Sequence, residues 1–405
     1  MRPRRFPALL VIAAFALISS CSGATSDTVS GAAPSHSTPE PSGSTKTPAT
    51  KPAANVPATT TTAPAGPPNT TPSDQRKLTK VTTITEAHLT PKSVVASQAG
   101  LFFAQNMIYS HTINVYDRTY ALVKSIPDSV TLADWGFDGH PGVSKGGPVE
   151  LAVNPDGTKA YATNYQMYGS GFDNPGDDKC AKKTWDHSYA YRIDTKTLAI
   201  DQVIEVGSVP KYIAVTPDGA HVLVTNWCGY DMTIIDAKTG KATMSIPLGR
   251  FPRGIAVTPD SRTAFVAVMG SKDIAVVDLT THAVEWIKGV GSGPRHLVID
   301  HDATFLYATL NGDGKVAKID IATRTVVSRV ASPSQPRSMT ISADGRSLYV
   351  VNYDSDAMSK IRTSDMAQLQ RVPTGHHPIG ITYDNATGQV WVACYSGSLY
   401  VFDDQ

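Results

Sequence analysis

The sequence predicts an all-β protein: a seven-bladed β-propeller, preceded by a signal peptide and a disordered linker. Three observations predict this fold. A phrase that begins with proline recurs every 42 residues, apolar residues alternate within each unit, and seven such units with two insertions account for residues 78–405. Short strands at regular spacing, separated by turn residues, are typical of propeller blades.

The repeat is clearest in the middle of the chain. Pro210-Lys-Tyr-Ile-Ala-Val-Thr-Pro-Asp-Gly is followed by Pro252-Arg-Gly-Ile-Ala-Val-Thr-Pro-Asp-Ser, and weaker copies begin at Pro294, Pro336 and Pro378. Units at Pro91 and Pro148 are spaced by 57 and 62 residues, so each carries an insertion. We place these insertions at Trp135 to Gly147 and at Gln166 to Ser188, on the face of the propeller where ligand-binding loops are expected.

Each unit predicts four strands with a period of two residues. Pro-Asp-Gly and Asp-x-x-Thr segments separate them, and Asp236, Asp278 and Asp320 recur at one position as turn formers. The last unit ends at Leu399-Tyr-Val-Phe after its third strand. We expect Leu78 to Thr85 to supply the missing fourth strand, which closes the ring and removes an open sheet edge.

The N-terminus predicts export and a lipid anchor. Residues 1–21 combine a basic start with an apolar run of about ten residues, too short to span a bilayer. The run ends in Ile18-Ser19-Ser20-Cys21, which resembles a bacterial lipobox in which Cys21 is lipidated (palmitate on the cysteine). Residues 22–77 are rich in Ser, Thr, Pro and Ala and predict a disordered tether. We therefore expect the domain at the outer face of the cytoplasmic membrane or in the cell envelope.

Several units also carry a family signature. Tyr161-Ala-Thr-Asn164, Leu223-Val-Thr-Asn226 and Tyr349-Val-Val-Asn352 each follow a Pro-Asp-Gly or Ala-Asp-Gly turn. They resemble the YVTN repeat of YncE-like and surface-layer β-propellers. The resemblance covers residues 78–405 and implies the fold. It leaves the function open, because such propellers include binding platforms, lactonases and lyases.

Charge argues against nucleic acid as the partner. The chain has 36 basic and 35 acidic residues, and since seven basic and three acidic ones precede Leu78, the propeller carries 29 and 32. A slightly negative domain lacks the broad basic field of a nucleic-acid binder.

A local basic ring is nevertheless predicted at the channel mouth. The residue after the repeat proline starts the innermost strand and is cationic in five of seven units: Lys92, Lys211, Arg253, Arg295 and Arg337. Aromatic residues follow 17 positions after four of the prolines: Tyr165, Trp227, Tyr353 and Tyr395. With His296, these residues predict a site for an anion that has a flat or sugar-like part. Packing between the blades explains the aromatic residues equally well, and the cations are equally well explained as residues of the repeat consensus that are held by backbone carbonyls or neighbouring acids.

The cysteines predict one disulfide. Cys180 lies in the long loop of blade 2 and Cys228 in the matching loop of blade 3, so both project from one face in an oxidising compartment. Cys394 ends a strand of blade 7 and should remain a buried thiol.

Two functions compete at this stage. The first is a lipid-anchored binding or scaffolding protein, a monomer held to the membrane by its anchor alone, whose partner is an anionic small molecule, a glycan or a cell-envelope protein. The alternative is a lactonase-like or streptogramin-lyase-like enzyme in which Glu150 and His296 act as base and acid. Neither an HxxxH nor an HExxH motif is present, and we expect neither a metal nor a cofactor.

Overall fold

The computed structural model describes residues 70–182 and 184–405. The predicted signal peptide, Cys21 and the tether up to residue 69 lie outside the described residues. The described part is all-β, with 29 strands numbered in chain order and three short 3₁₀ turns at Ser73–Gln75, Leu132–Trp135 and Tyr353–Ser355. None of its helical segments has the length and apolar character needed to cross a membrane.

The strands form seven antiparallel sheets, which confirms the seven-bladed propeller. Five blades have four strands each, in the order of the chain. Blade 1 contains β2 (Pro91–Ala96), β3 (Leu101–Asn106), β4 (Thr112–Asp117) and β5 (Leu122–Pro127). Blade 3 contains β11 (Pro210–Val215), β12 (His221–Asn226), β13 (Asp231–Asp236) and β14 (Lys241–Pro247). Blade 4 contains β15 (Pro252–Val257), β16 (Thr263–Val268), β17 (Ile274–Asp278) and β18 (Val284–Ile287). Blade 5 contains β19 (Pro294–Ile299), β20 (Phe305–Leu310), β21 (Lys315–Asp320) and β22 (Thr325–Ala331). Blade 6 contains β23 (Pro336–Ile341), β24 (Ser347–Asn352), β25 (Ala357–Arg362) and β26 (Gln368–Pro373).

Blade 2 has five strands rather than the expected four. It contains β6 (Ser129–Val130), β7 (Ser144–Val153), β8 (Lys159–Tyr168), β9 (Ser188–Asp194) and β10 (Ala199–Val206). The first insertion is therefore partly regular structure: β7 is extended to ten residues, and its start pairs with the short strand β6.

Blade 7 is closed by the N-terminal strand, as predicted. β1 (Leu78–Ile84) joins β27 (Pro378–Asp384), β28 (Gln389–Cys394) and β29 (Ser398–Asp404) in one sheet. β1 pairs antiparallel with β29, from Leu78 opposite Asp404 to Ile84 opposite Leu399. The first and last strands of the propeller therefore share one blade, and no strand edge is left open at the junction.

The ordered contacts begin slightly before the predicted boundary at Leu78. Ser73 is fully buried, and its backbone N–H and side-chain hydroxyl donate to the two carboxylate oxygens of Asp344 at 2.7 and 2.6 Å. The last residues assigned to the tether thus dock on blade 6.

The innermost strands of neighbouring blades contact one another around the whole ring. The approach is close at Gly254 of β15, where an added Cβ atom would lie 2.7 Å from the carbonyl oxygen of Arg295, and at Gly380 of β27, where it would lie 2.6 Å from the Cα atom of Ser93. Apolar side chains from facing sheets fill the spaces between blades; between blades 4 and 5 they include Ile274, Leu306 and Ile319. The repeated Asp turns lie at the hairpins, where Asp236 Oδ1 accepts from the backbone N–H of Thr239 at 2.7 Å.

Candidate functional site at the channel mouth

One repeated turn sets the geometry of the channel mouth. In blades 3 to 7 the residue before the repeat proline has a positive φ, between 54° at His377 and 64° at Phe251. Its carbonyl accepts a hydrogen bond from the backbone of the residue 18 positions later, as in Trp227 to Val209 at 2.9 Å. This bond stabilises the left-handed backbone conformation, which costs conformational energy for any residue other than glycine. It also places the residue after the proline beside the residue at the end of the second strand.

The five cations converge on the channel axis. Lys92 of blade 1 lies close enough to Arg253 of blade 4 and Arg295 of blade 5 that their charges add to the effect of burial in lowering its pKa. Residues from such distant blades interact only if their side chains point inward. All three are buried, at 7 %, 4 % and 5 % exposure. The predicted basic ring is thus a compact cluster, and its like charges are largely removed from water.

The second insertion neutralises one of these cations. The ammonium group of Lys211 forms a salt bridge with Asp178, which is carried by the insertion loop. The same carboxylate accepts a hydrogen bond from the hydroxyl of Tyr165 at 2.9 Å. Close to Asp178 in the same loop, Cys180 forms a disulfide with Cys228 of blade 3, and the two Cα atoms are 5.4 Å apart. The disulfide attaches the insertion loop to blade 3. Cys394 is a buried free thiol.

Two of the aromatic rings, those of Trp227 and Tyr353, are covered by protein groups that include a cation, so their faces are not free for a ligand. The Lys211 Nζ atom lies 4.1 Å from the ring centroid of Trp227, and Phe251 stacks on the same indole at 4.6 Å. In blade 6 the guanidinium carbon of Arg337 lies 4.1 Å from the Tyr353 centroid. His377 stacks on Tyr353 at 4.2 Å with an interplanar angle of 7°. Since protein groups already lie against these rings, the geometry favours cation–π support and inter-blade packing over stacking with a ligand.

Blades 4 and 5 differ because they lack this aromatic residue. Met269 and Asn311 occupy the equivalent positions. Among the described residues, the guanidinium groups of Arg253 and Arg295 have no oxygen acceptor, and the nearest partner found for Arg295 is the Met269 sulfur at 3.8 Å. The Nε atom of Arg295 is buried without a hydrogen bond. Buried polar groups nearly always have partners, so the unpaired Nε atom of Arg295 is exceptional, and the Nε atom of Arg337 shares this property.

Tyr395 of blade 7 lies in the field of these two arginines. Burial raises the pKa of its hydroxyl to about 12, although Arg295 and Arg253 oppose the rise. The hydroxyl therefore stays protonated at neutral pH. It has no hydrogen-bond partner among the described side chains and backbone groups, so it is available as a donor beside the two guanidiniums.

A polar layer lies one residue further along the same strands. Glu150, Tyr212 and His296 line a channel cavity of about 430 Å³. Burial raises the pKa of Glu150 against the opposing effect of Lys92 and Arg253. Burial also lowers the pKa of His296 to about 3, with Arg253 and Arg295 acting in the same direction, so the imidazole is neutral.

Glu150 and His296 do not form a pair in the described structure. The Nε2 atom of His296 lies 3.4 Å from the Tyr212 hydroxyl, whereas the Glu150 charge interacts with Lys92 and Arg253. Residues 70–182 and 184–405 contain no group of three or more side chains positioned to hold a metal ion.

Sequence reasoning missed two features of this site. Asp178 was not recognised as the partner of Lys211, because it lies in an insertion with no counterpart in other blades. The different environments of Arg253 and Arg295 could have been predicted from the sequence, because Met269 and Asn311 replace the aromatic residue found at this position in four other blades.

Fold and site together define a seven-bladed β-propeller with a cationic channel mouth. No family model matches the chain, and no curated protein matches it. Among solved structures, the protein is similar to hydrazine synthase of Kuenenia stuttgartiensis, with a TM-score of 0.62 and 17 % sequence identity, over 78 % of this chain and 96 % of that one. At this identity the likeness shows the fold alone, and the function has to be argued from the site.

Proposed function

We propose that this protein is an extracytoplasmic, lipid-anchored binding protein of the YVTN-repeat type, whose propeller mouth binds an anionic ligand or an anionic group of a partner. The observation that carries the proposal is the pair of buried guanidiniums, Arg253 and Arg295, without a protein acceptor. Burial costs both groups their hydration, and the charge of Glu150 offsets that cost only for Arg253 and only in part. An anion that accepts from both offsets that cost when it binds.

The two arginines are expected to affect folding stability and anion affinity in opposite directions. Replacing an uncompensated buried charge by an apolar side chain of similar volume is often neutral or stabilising. Each charge-assisted hydrogen bond to the anion, however, contributes about 1.5–3 kcal/mol. The two effects can therefore be measured separately on the same variant.

The test uses the double variant Arg253→Met and Arg295→Met. Isothermal titration with sulfate, citrate and D-glucuronate at low ionic strength should show weak binding to the wild type that falls as salt rises, because salt screens the attraction between the approaching anion and the cationic cluster. The double variant should lose at least about a hundredfold in affinity while its melting temperature stays equal or rises.

Arg262→Met is the matched control. Arg262 is an exposed arginine in the hairpin of the same blade, at the end away from the mouth, and its replacement should change neither affinity nor melting temperature. A large loss of stability in the double variant would show that the arginines are structural. Anion binding that survives in it would place the site elsewhere.

The proposed anchor rests on the lipobox-like segment that ends at Cys21. Cys21→Ala should shift the protein from the detergent phase to the aqueous phase in a Triton X-114 partition of expressing cells, and metabolic labelling with a clickable palmitate analogue should disappear. Cys394→Ala, which removes a buried thiol of the propeller, is the control and should retain both signals. A Cys21→Ala protein that still partitions with membranes contradicts the anchor.

A further inference from the structure

Asp178 shows how this mouth accommodates a carboxylate. Its carboxylate accepts from one buried cation, Lys211, and from one tyrosine hydroxyl, that of Tyr165 at 2.9 Å. The backbone carbonyl of Asp178 also accepts from the indole N–H of Trp227 at 3.0 Å. An ammonium and a phenol thus form the donor set for a carboxylate on the side of blades 2 and 3.

The same donor types recur on the other side of the mouth. Arg253 and Arg295 supply guanidinium donors. Tyr395 supplies a phenol whose ring packs edge-on against Tyr353 at 6.2 Å at the same mouth, and its hydroxyl lies in the field of the two arginines. No described residue gives these three groups a hydrogen-bonding oxygen, and the contact of Arg295 with the Met269 sulfur at 3.8 Å is weak. Planar guanidiniums bind carboxylates with two parallel hydrogen bonds, so the set is at least as well suited to a carboxylate as the one that holds Asp178.

We propose that Arg253, Arg295 and Tyr395 form a subsite for the carboxylate of a small hydroxy acid of monosaccharide size. The inference rests on the proposed anion-binding function and deepens it by naming the ligand class and adding Tyr395. The carboxylate lies against the two guanidiniums and accepts from the tyrosine hydroxyl. The remainder of the ligand extends into the channel cavity directly beneath.

The cavity selects the rest of the ligand. Its volume of about 430 Å³ is at the small end of the range for ligand pockets. Glu150, Tyr212 and His296 contribute hydrogen-bonding groups, and only Tyr212 and His296 contact each other, so an entirely apolar tail would leave Glu150 facing an apolar group. Glu150 is an acceptor and repels a second acid group, and the neutral His296 ring accepts or donates. Hydroxyl groups satisfy all three residues.

The experiment compares D-glucuronate, its neutral analogue D-glucose, and sulfate by isothermal titration with the folded propeller. We expect glucuronate to bind and glucose to show no measurable binding. Tyr395→Phe removes only a hydroxyl and should weaken glucuronate binding about tenfold or more, because a hydrogen bond to a charged group is lost. Tyr109→Phe is the matched control, since Tyr109 is 82 % exposed and is not part of the subsite, and it should leave the affinity within about twofold.

The outcomes separate this inference from the proposed function. If the wild type binds sulfate but not glucuronate, the anion site stands and the carboxylate class is wrong. If glucuronate binds wild type and Tyr395→Phe equally while the double arginine variant fails to bind, the subsite does not include Tyr395. If the wild type binds none of the anions, the proposed function fails together with the inference. Equal melting temperatures for the two Tyr→Phe variants exclude misfolding as the cause of any difference.

Discussion

Residues at the same repeat position have different roles in this propeller. Lys211 and Arg253 both follow the repeat proline, in adjacent blades. Lys211 is paired with Asp178, and burial nevertheless lowers the pKa of its ammonium group to about 7, with the Asp178 charge opposing that change. Arg253 forms no salt bridge among the described residues, although the more distant charge of Glu150 opposes the effect of burial on its pKa. The charge of Asp178 also reaches Arg253, which is among the cations that offset the effect of burial on the Asp178 pKa.

This arrangement suggests that Lys211 keeps Asp178 away from the open arginines. Lys211→Met should release the carboxylate to compete with the ligand and weaken anion binding about tenfold, or ~1.4 kcal/mol. The double variant Lys211→Met with Asp178→Asn removes the competitor as well and should restore wild-type affinity. Titration of the three proteins with D-glucuronate measures both effects.

Asp173→Asn provides the control for the loop, because Asp173 is an exposed acid of the same insertion. It should leave the affinity unchanged. If the double variant stays as weak as Lys211→Met, then Lys211 itself contacts the ligand and its pairing with Asp178 is incidental.

The position of the cations could be predicted from the sequence, whereas their partners could not. The proline repeat fixes the start of each innermost strand, so every residue that follows it points to the mouth. The stacking of His377 on Tyr353 depends instead on a left-handed turn before Pro378. Nothing in the local sequence distinguishes that ring from one with a free face.

At the scale of single elements, the strands whose apolar residues alternate within the 42-residue repeat were predicted, and the irregular strands were missed. β6 has two residues and pairs with a glycine-containing extension of β7, so neither alternation nor length revealed it. The docking of Ser73 was missed for a related reason. It depends on hydrogen bonds from a polar residue to Asp344 rather than on apolar burial, and polar contacts leave no hydrophobic pattern.

Blade 2 also shows how an insertion acquires a role in the site. Its second insertion leaves β8, reaches the mouth at Asp178 and is attached to blade 3 by the Cys180–Cys228 disulfide. The disulfide limits the loop to conformations near Lys211, which lowers the entropy lost when the salt bridge forms. A loop that would otherwise move freely therefore delivers one carboxylate to one position.

At the scale of the whole molecule, the first and last segments of the propeller meet at a buried ion pair. Lys360 of β25 and Asp404 of β29 form a salt bridge in which both side chains are fully buried. Lys360 also donates to the carbonyl oxygen of Arg76 at 3.0 Å, and the Tyr349 hydroxyl donates to Asp404 at 2.6 Å. One polar network thus connects blade 6, the last strand and the segment before β1.

The network predicts strong coupling between its members. Removing either charge leaves the other buried and uncompensated, so Lys360→Met and Asp404→Leu should each lower the free energy of unfolding by about 3–5 kcal/mol. The double variant leaves no buried charge behind and should lose clearly less than the sum of the two single variants. Urea denaturation followed by tryptophan fluorescence gives all three values.

The exposed pair Arg362–Asp365 in the same blade is the natural comparison. Its side chains are 35 % and 52 % exposed, and breaking it by Asp365→Asn should cost no more than about 1 kcal/mol, because water screens both charges. If the Lys360 and Asp404 variants behaved like this surface pair, the ring would be closed by the β1–β29 strand pairing and apolar packing alone. Strong coupling in the buried pair, together with a small effect of breaking the surface pair, would instead show that the junction between the first and last segments of the propeller depends on the charge network.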